Sequence, residues 1–179
     1  MKIIVLGAAG KQAPGVIRDL ANSPEVTEIV LADLESTKET LEYRAKHWGK
    51  KKAKVVLTNV NDQNSLRKAI RGSVSLANCT TYHFNLQVME ACLAEGTHYV
   101  DMGGLFHNSR KQMALSEQWK RRSLTAVLGM GSAPGIVNVM SRYGADLLDT
   151  VESIQIRDGI VNFAKLDTPM ATPYAFVTI

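Results

Sequence analysis

A short glycine-containing turn near the N-terminus is the first place where residue types and spacing indicate chemistry. The segment Gly7-Ala8-Ala9-Gly10 follows an apolar run and precedes a helical pattern that begins near Pro14. One glycine permits a tight turn after a buried strand, and a second lets a ligand approach the backbone closely. The N–H groups and dipole of the following helix attract phosphate. The turn therefore predicts a pyrophosphate site of the kind that dinucleotides occupy.

The spacing of this turn departs from the usual dinucleotide fingerprint, because Ala9 and Gln12 occupy its second and third glycine positions. A tight turn without a ligand is the alternative. Asp33 favours the ligand, since it ends the second predicted strand, where a carboxylate binds the ribose hydroxyls of adenosine. No arginine follows at once, so a 2′-phosphate would meet negative charge. NAD is therefore expected, with NADP less favoured, although Asp33 could instead cap the next helix.

Four further segments rich in small and polar residues follow predicted strands. Because the carboxyl ends of parallel strands meet at one edge of a sheet, ligands bind outside those ends. Small residues let backbone approach a ligand there, although they are also ordinary turn residues. Recurrence after four strands favours a shared binding edge. The segments are 59–62, 78–85, 101–104 and 129–135.

The elements that must position these segments follow from the spacing of apolar residues. Continuous β-branched runs bounded by turn residues are typical of strands buried on both faces, and helical patterns separate them. The alternation predicts a doubly wound α/β fold with a parallel sheet of about six strands. The predicted strands are 2–6, 28–33, 53–58, 73–77, 98–101 and 125–129. The predicted helices include 36–46, 85–95, 109–122 and 134–148, and a short one capped near Asn64.

The pattern changes after Asp149. Residues 152–157 alternate between polar and apolar, which predicts a half-exposed strand of a second sheet. We therefore expect residues 1–149 to form an NAD(P)-binding domain and residues 150–179 to begin a second α/β domain for substrate binding or dimerisation. An apolar ending at Ile179 is unusual for a terminus, and we expect the chain to be truncated there.

Composition narrows the classes of protein to consider. The 179 residues are 45% apolar and 21% charged, which is typical of soluble globular proteins. No apolar run could span a membrane and no signal peptide is present, so a cytoplasmic location without a membrane partner is expected. A net charge of +4, with basic runs typical of solvated surfaces, predicts no nucleic-acid partner. Cys79 and Cys92 lack metal-site spacing, so no metal is expected.

Three segments resemble a known enzyme family. They read Phe84-Asn85-Leu86-x-Val88-Met89-Glu90-Ala91-Cys92, Gly96-Thr97-His98-Tyr99-Val100-Asp101-Met102-Gly103-Gly104 and Gly129-x-Gly131-x-Ala133-Pro134-Gly135-Ile136-x-Asn138. In these segments the chain resembles the saccharopine dehydrogenase and lysine 6-dehydrogenase family, and its Ala-Pro-Gly loop looks more like the second branch. The resemblance implies a Rossmann-type domain, oxidation of a C–N bond of an amino acid with NAD(P) as hydride acceptor, and a homodimer.

The resemblance also implies roles for individual residues. Gly7, Ala8, Ala9, Gly10, Lys11 and Gln12 would hold the pyrophosphate, and Asp33 the ribose. Asn59 and Val60 would flank the adenine, and Asn78, Cys79 and Thr80 would border the nicotinamide. Asp101, Gly103 and Gly104 would line the floor near the reacting carbon. Tyr82 and Asp101 are the candidate catalytic residues.

Three functions are compatible with these residues. The first is an NAD(P)-dependent oxidoreductase that acts on a small amino-acid substrate. The second is a non-catalytic NAD(P)-binding redox sensor, because no Tyr-x-x-x-Lys pair is present to serve as the acid–base pair of short-chain dehydrogenases. A fragment that acts only in assembly is a third reading, which applies if the expected truncation is natural.

Overall fold

The computed structural model describes residues 1–157, which alternate strands with helices as the apolar pattern predicts. The strands are β1 (Lys2–Leu6), β2 (Glu28–Asp33), β3 (Ala53–Leu57), β4 (Ser75–Asn78), β5 (His98–Asp101) and β6 (Ala126–Val127). The helices are α1 (Ala13–Asn22), α2 (Lys38–Trp48), α3 (Gln63–Ile70), α4 (Asn85–Glu95), α5 (Phe106–Met113), α6 (Ser116–Arg121) and α7 (Ile136–Ala145). Short 3-10 turns precede α2 and α4 at Glu35–Thr37 and Tyr82–Phe84.

All six strands pair in parallel, in the order β3-β2-β1-β4-β5-β6. This is the Rossmann-type order, and it confirms the predicted doubly wound α/β fold. The chain winds outward from β1 in one direction through β2 and β3, and in the other through β4, β5 and β6. Loops at the carboxyl ends of β1 and β4 therefore diverge, which opens a crevice between them.

Alternate residues of the central strands face two separate layers of helices. Val5 and Leu31 point into a cluster with Ile17 of α1 and Leu41 of α2. Neighbouring residues on the same strands enter the opposite cluster, which includes Leu66 of α3, Val88 of α4 and Trp119 of α6. Burial on both faces explains why these strands are continuously apolar. The sheet is thus a rigid platform for the loops at its edge.

The single helix predicted for 109–122 is wrong. The chain forms α5 and α6 instead, with Ala114 and Leu115 between them. Gln112 at the end of α5 and Trp119 in α6 both enter the interior, where they are 0% and 3% exposed.

The strand predicted for residues 152–157 is also wrong, because this segment has no strand conformation. Alternation makes a strand favourable only where a neighbouring strand takes up its backbone hydrogen bonds, and no strand in residues 1–157 pairs with it. The second domain expected from residue 150 remains a prediction, and residues 158–179 lie outside the described residues.

The ends of α3 and α4 are close to where the sequence predicts them. Asp62, rather than Asn64, caps α3, since its carboxylate accepts hydrogen bonds from the N–H groups of Asn64 and Ser65 at 3.0 and 3.2 Å. Gly96 ends α4 in the left-handed conformation, with φ of 73°, as its position predicts.

Candidate functional site

A cleft of about 300 Å³ lies at the carboxyl edge of the sheet, between β1 and β4. At this point the order in which successive strands are added to the sheet changes direction. Ligands of doubly wound sheets bind at this point. The loops after β1, β2, β3 and β4 all contribute to its walls. The lining residues are Leu6, Gly7, Gly10, Asp33, Leu34, Thr58, Asn59, Val60, Asn61, Cys79, Thr80, Thr81 and Phe84.

The glycine turn forms one wall of this cleft and packs tightly against the loop after β4. Gly7 has φ of 74°, and a Cβ there would lie 2.8 Å from the backbone of both Cys79 and Thr80. Only glycine satisfies both demands. Gly10 closes the turn, because its N–H donates to the carbonyl of Gly7 at 2.9 Å. The positions of both glycines agree with the sequence prediction.

The N–H groups of the turn have a different use from the expected one. Those of Gly7 and Ala8 donate to the carbonyl of Ala32 at 2.9 and 3.2 Å, so they hold the turn on β2. The N–H of Ala9 donates to a carboxylate, as described below, and that of Gly10 closes the turn. In this arrangement the N–H groups of residues 7–10 are all used within the protein, and the pyrophosphate role of residues 7–12 stays a prediction.

The next two residues supply the free donors instead. Lys11 and Gln12 are exposed at the start of α1, and within residues 1–157 their N–H groups have no protein acceptor. Such groups at a helix N-terminus are suited to a phosphate. Gly10, which directly precedes them, lines the cleft, and a Cβ there would lie 3.1 Å from the Gly7 carbonyl oxygen. The observed residues therefore fit a dinucleotide pyrophosphate, with the free donors at the last two residues of segment 7–12.

Asp33 stands where the sequence places it, at the end of β2 beside the cleft. Its Oδ2 accepts a hydrogen bond from the N–H of Ala9 at 2.9 Å, and its Oδ1 accepts one from Leu34 at 2.8 Å. The carboxylate thus ties the glycine turn to β2. It also presents negative charge to the part of the cleft where an adenosine ribose would lie.

The opposite wall consists of the loops after β3 and β4. Asn59 and Val60 line it, and their contact with an adenine stays a prediction. Gln87 of α4 fixes this loop by donating to the Val60 carbonyl at 3.0 Å. Cys79 and Thr80 line the wall beside Gly7. Burial raises the pKa of the Cys79 thiol to about 11, so this thiol is neutral and unreactive near neutral pH.

Asn78 lies behind this wall rather than in it, since it is only 2% exposed. Its amide donates to Asn85 Oδ1 at 3.0 Å and to the Tyr99 hydroxyl at 3.1 Å. Its Oδ1 accepts from the N–H and hydroxyl of Thr80 at 3.1 and 2.7 Å. Asn78 therefore positions Thr80 and does not itself reach the cleft.

Asp101 belongs to the same buried network and is also 2% exposed. Its Oδ2 accepts from the Tyr99 hydroxyl at 2.9 Å and from Gln112 Nε2 at 2.7 Å. Its Oδ1 accepts from the N–H groups of Gly103 and Gly129 at 2.8 and 2.9 Å. Both oxygens are occupied by protein donors, so the geometry gives no support to the expected catalytic role of Asp101.

Burial and the charge of Asp101 together raise the pKa of the Tyr99 hydroxyl, which therefore stays protonated as a donor. Tyr99 joins Asp101 on β5 to Asn78 on β4, and Asn85 at the start of α4 donates to the Gly103 carbonyl at 3.3 Å. The network fixes the loops after β4, β5 and β6 relative to one another.

Gly103 and Gly104 lie beside this network and do not border the main cleft. A Cβ at Gly103 would lie 2.8 Å from Pro134 and 2.9 Å from Gly129. At Gly104 it would strike the side chain of Tyr82, 2.1 Å from its Cβ. Both glycines thus allow loops to approach, and Tyr82 is half-buried in the 3-10 turn against Gly104.

Sequence reasoning missed several residues that shape the site. Arg44 of α2 donates to the carbonyls of Ala8 and Gly10, and Gln112 of α5 reaches Asp101. Neither belongs to a loop after a strand, where the ligand-binding residues of such sheets are expected. Asn85 begins α4 as predicted, but its side chain enters the buried network and does not cap the helix.

Within residues 1–157, no three His, Cys, Asp or Glu side chains are grouped in a way that could hold a metal ion. None of the helices there has the length and apolar character needed to cross a membrane.

Comparison with known families decides the classification of this fold and cleft. A family model described as the saccharopine dehydrogenase NADP-binding domain matches residues 3–127. The chain belongs to this family. The saccharopine dehydrogenase resemblance of the sequence motifs is thereby confirmed, and the cleft is that of a nicotinamide-dinucleotide-binding domain.

Two characterised proteins match this chain at 27% and 28% identity. The chain is 27% identical over 150 residues to carboxyaminopropylagmatine dehydrogenase of Synechocystis sp., covering 79% of this chain and 37% of the relative. It is 28% identical over 125 residues to carboxynorspermidine synthase of Vibrio cholerae, covering 61% of this chain and 30% of the relative. The chain thus spans about a third of the length of these relatives.

A solved structure supports the same fold. The apo saccharopine dehydrogenase (L-Glu forming) from Saccharomyces cerevisiae superposes with a TM-score of 0.70 at 21% identity. The match covers 82% of this chain and 31% of the yeast enzyme. At this identity the likeness establishes the fold alone.

Proposed function

We propose that this chain is the nucleotide-binding domain of an NAD(P)-dependent oxidoreductase that acts on the C–N bond of an amino acid or a related carboxylated amine. The observation that carries the proposal is the cleft at the β1–β4 switch point, with free N–H groups at Lys11 and Gln12 beside it. Membership of the saccharopine dehydrogenase family supports a dinucleotide as the occupant.

The substrate class rests on the names of the relatives. One is a dehydrogenase of carboxyaminopropylagmatine and another a synthase of carboxynorspermidine, and both names denote amines that carry a carboxyl group. The Ala133-Pro134-Gly135 loop favours a lysine 6-dehydrogenase-like reaction within this class. A lysine-like amine is therefore the first substrate to test.

The residues of this chain contribute to the chemistry by positioning the loops around the nicotinamide and the substrate. A bound nicotinamide supplies the hydride acceptor. The buried Asn78–Tyr99–Asp101 network holds the loops after β4 and β5 in place, so that a reacting carbon can be oriented against the nicotinamide ring. Tyr82 is the polar group of these loops that we propose contacts substrate, and Asp101 acts through the loop that it fixes.

The choice between NAD and NADP is a separate part of the proposal. The Asp33 carboxylate beside the cleft favours NAD, since it can accept hydrogen bonds from ribose hydroxyls and opposes a 2′-phosphate. The family description names NADP. We propose NAD as the preferred cofactor of this member, a proposal that measured affinities for NADH and NADPH test directly.

The activity is tested with the complete protein, by following NADH or NADPH formation with lysine, saccharopine and carboxylated polyamines as substrates. We expect turnover with at least one of these amines. Tyr82→Phe is expected to lower kcat at least about tenfold if the hydroxyl contacts the transition state. Failure of every amine to reduce either cofactor would contradict the oxidoreductase proposal.

A second candidate is a non-catalytic NAD(P)-binding sensor. The observation that favours it is Asp101, which is enclosed by four protein donors and does not face a substrate. A sensor would bind NADH and NADPH with unequal affinities and change conformation on binding, but would turn over no amine. The same assay, combined with nucleotide titration, therefore separates the two candidates.

A further inference from the structure

We propose that Arg44 is a positioning residue for the nucleotide: its guanidinium fixes the glycine turn so that the N–H of Lys11 is presented to the pyrophosphate. The inference rests on the proposed function, because it concerns the same site. Arg44 does not line the cleft, so it would act through the turn and not by touching the ligand.

The contacts of Arg44 are short and directed at the turn. It is half-buried on α2, and its Nη1 donates to the carbonyl of Ala8 at 2.6 Å and to that of Gly10 at 2.7 Å. A guanidinium is always charged in proteins, and hydrogen bonds from an ionised donor are about twice as strong as neutral ones. One cation therefore holds two successive parts of the turn.

The peptide group between Ala8 and Ala9 is held from both sides. Its carbonyl accepts from Arg44, and its N–H donates to Asp33 Oδ2 at 2.9 Å. Because a peptide group is planar, fixing both ends fixes its orientation. This part of the turn is thus rigid before any ligand arrives.

The next held peptide, between Gly10 and Lys11, is fixed from one side only. Its carbonyl accepts from Arg44, and in a trans peptide the N–H points the opposite way. The N–H of Lys11 is therefore directed away from Arg44, and within residues 1–157 no protein group accepts from it. The hydrogen bond from Arg44 to the Gly10 carbonyl therefore also sets the direction of the free Lys11 N–H.

Trp48 explains how the long Arg44 side chain stays in place. The Arg44 guanidinium lies 5.3 Å from the centre of the Trp48 ring, within cation–π range. Arg18 of α1 also lies over this ring, at 4.6 Å, but it makes no hydrogen bond to the turn. Arg18 is therefore a matched control, since it shares the ring contact and the charge but lacks the carbonyl contacts.

The charge of Arg44 has a second effect on the turn. Carbonyl oxygens near a bound phosphate repel it, and Arg44 neutralises those of Ala8 and Gly10. Loss of Arg44 would leave the Gly10 carbonyl free to rotate toward the anion, whereas Asp33 would still hold the Ala8–Ala9 peptide. Both effects weaken ligands that carry a pyrophosphate and leave ligands without phosphate unaffected.

The test compares Arg44→Met with Arg18→Met by titration with ADP-ribose, NADH and NADPH, and with adenosine followed by ligand-observed NMR. Arg44→Met is expected to weaken the three pyrophosphate ligands about tenfold, as for one misaligned charge-assisted hydrogen bond. Adenosine affinity and the NADH-to-NADPH affinity ratio are expected to stay unchanged. Arg18→Met is expected to retain wild-type affinities.

Arg44→Lys keeps the charge and is expected to lie between the wild type and Arg44→Met, which preserves the test if the methionine variant unfolds. Equal affinities for wild type and both Arg44 variants would overturn the inference. So would an equal fractional loss for adenosine and ADP-ribose, which a general loss of structure would produce. A wild type that binds no nucleotide would instead overturn the proposed function, and this inference with it.

Discussion

Asp101 receives hydrogen bonds from β5, from α5 and from the loops after β5 and β6. A buried carboxylate is stable only when donors replace the water that it has lost. Here four donors do so, and the carboxylate in turn fixes the backbone of two glycine-rich loops. The role of Asp101 is therefore to hold these two loops in position.

Replacing this carboxylate tests that view. Asp101→Asn turns an acceptor-only group into one that presents an NH₂ group to donors, so at least one buried hydrogen bond becomes a repulsion. We expect the free energy of unfolding to fall by about 2–4 kcal/mol in urea denaturation. Asp19→Asn, on the exposed surface of α1, is the control and is expected to change little. Full stability combined with lost turnover would show that Asp101 is catalytic instead.

Asp33 is the residue on which the proposed preference for NAD over NADP depends. Asp33→Asn removes the negative charge beside the cleft; its one acceptor oxygen can serve the Ala9 N–H, and the Leu34 N–H then loses its acceptor. NADH affinity is expected to fall about tenfold, through loss of a charged hydrogen bond to the ribose, while NADPH affinity falls less or rises. Fluorescence titration measures both affinities. A wild type that prefers NADPH would contradict the assignment of NAD, and an unchanged NADH affinity in the variant would remove Asp33 from the ribose site.

The individual site residues that could be predicted are those whose role depends on local chain geometry. Gly7 needs a left-handed turn next to a strand, and Asp33 ends a strand at a known edge of the fold. Arg44 could not be found in this way, because its contact with the turn depends on where α2 packs and on the length of its side chain. The hydrogen bonds from the N–H groups of the turn to Ala32 and Asp33 could not be predicted either, because they depend on how the turn packs against β2.

Among the elements, α3 and α4 are joined by a small ion-pair cluster. Glu95 at the end of α4 accepts from Arg67 Nε at 2.7 Å and from Arg71 Nε at 3.1 Å. Its side chain is only 8% exposed, whereas the two arginines are 46% and 71% exposed. The hydrogen bonds from Arg71 and then Arg67 lower the pKa of Glu95 below its usual 4.5.

This lowered pKa predicts a pH-dependent contribution to stability. The contribution is complete above the ordinary glutamate pKa and is lost as the pH falls through the lower pKa of the folded protein. Glu95→Gln is therefore expected to unfold more easily than wild type at pH 7, by about 1 kcal/mol or less because the arginines are exposed. The difference should shrink in acid, as followed by urea denaturation across pH. A difference that is independent of pH would contradict the ion-pair account.

The elements of the fold were largely predictable, for reasons that differ from case to case. Strands such as β1 and β2 are buried on both faces, so their apolar runs are unmistakable. The break between α5 and α6 has no proline or glycine to mark it, so the sequence pattern predicts one helix there. Residues 152–157 have strand-like alternation, yet no neighbouring strand in the described chain pairs with them.

At the scale of the whole molecule, the parallel sheet brings loops that are distant in sequence to one edge. The order β3-β2-β1-β4-β5-β6 makes β1 and β4 neighbours, and this adjacency creates the cleft. The chain covers about a third of each relative, at 37% and 30% of their lengths. Nucleotide binding is therefore the activity that this part of the family's architecture supports most directly.

Titration with NADH and NADPH of the wild type and two glycine variants tests this central claim most directly. A Cβ at Gly10 would lie 3.1 Å from the Gly7 carbonyl oxygen at the mouth of the cleft, whereas one at Gly15 would meet open space. We predict that wild type and Gly15→Val bind with similar affinity, and that Gly10→Val binds at least about tenfold more weakly while remaining folded. Equal binding by all three proteins, or no binding by the wild type, would contradict the account.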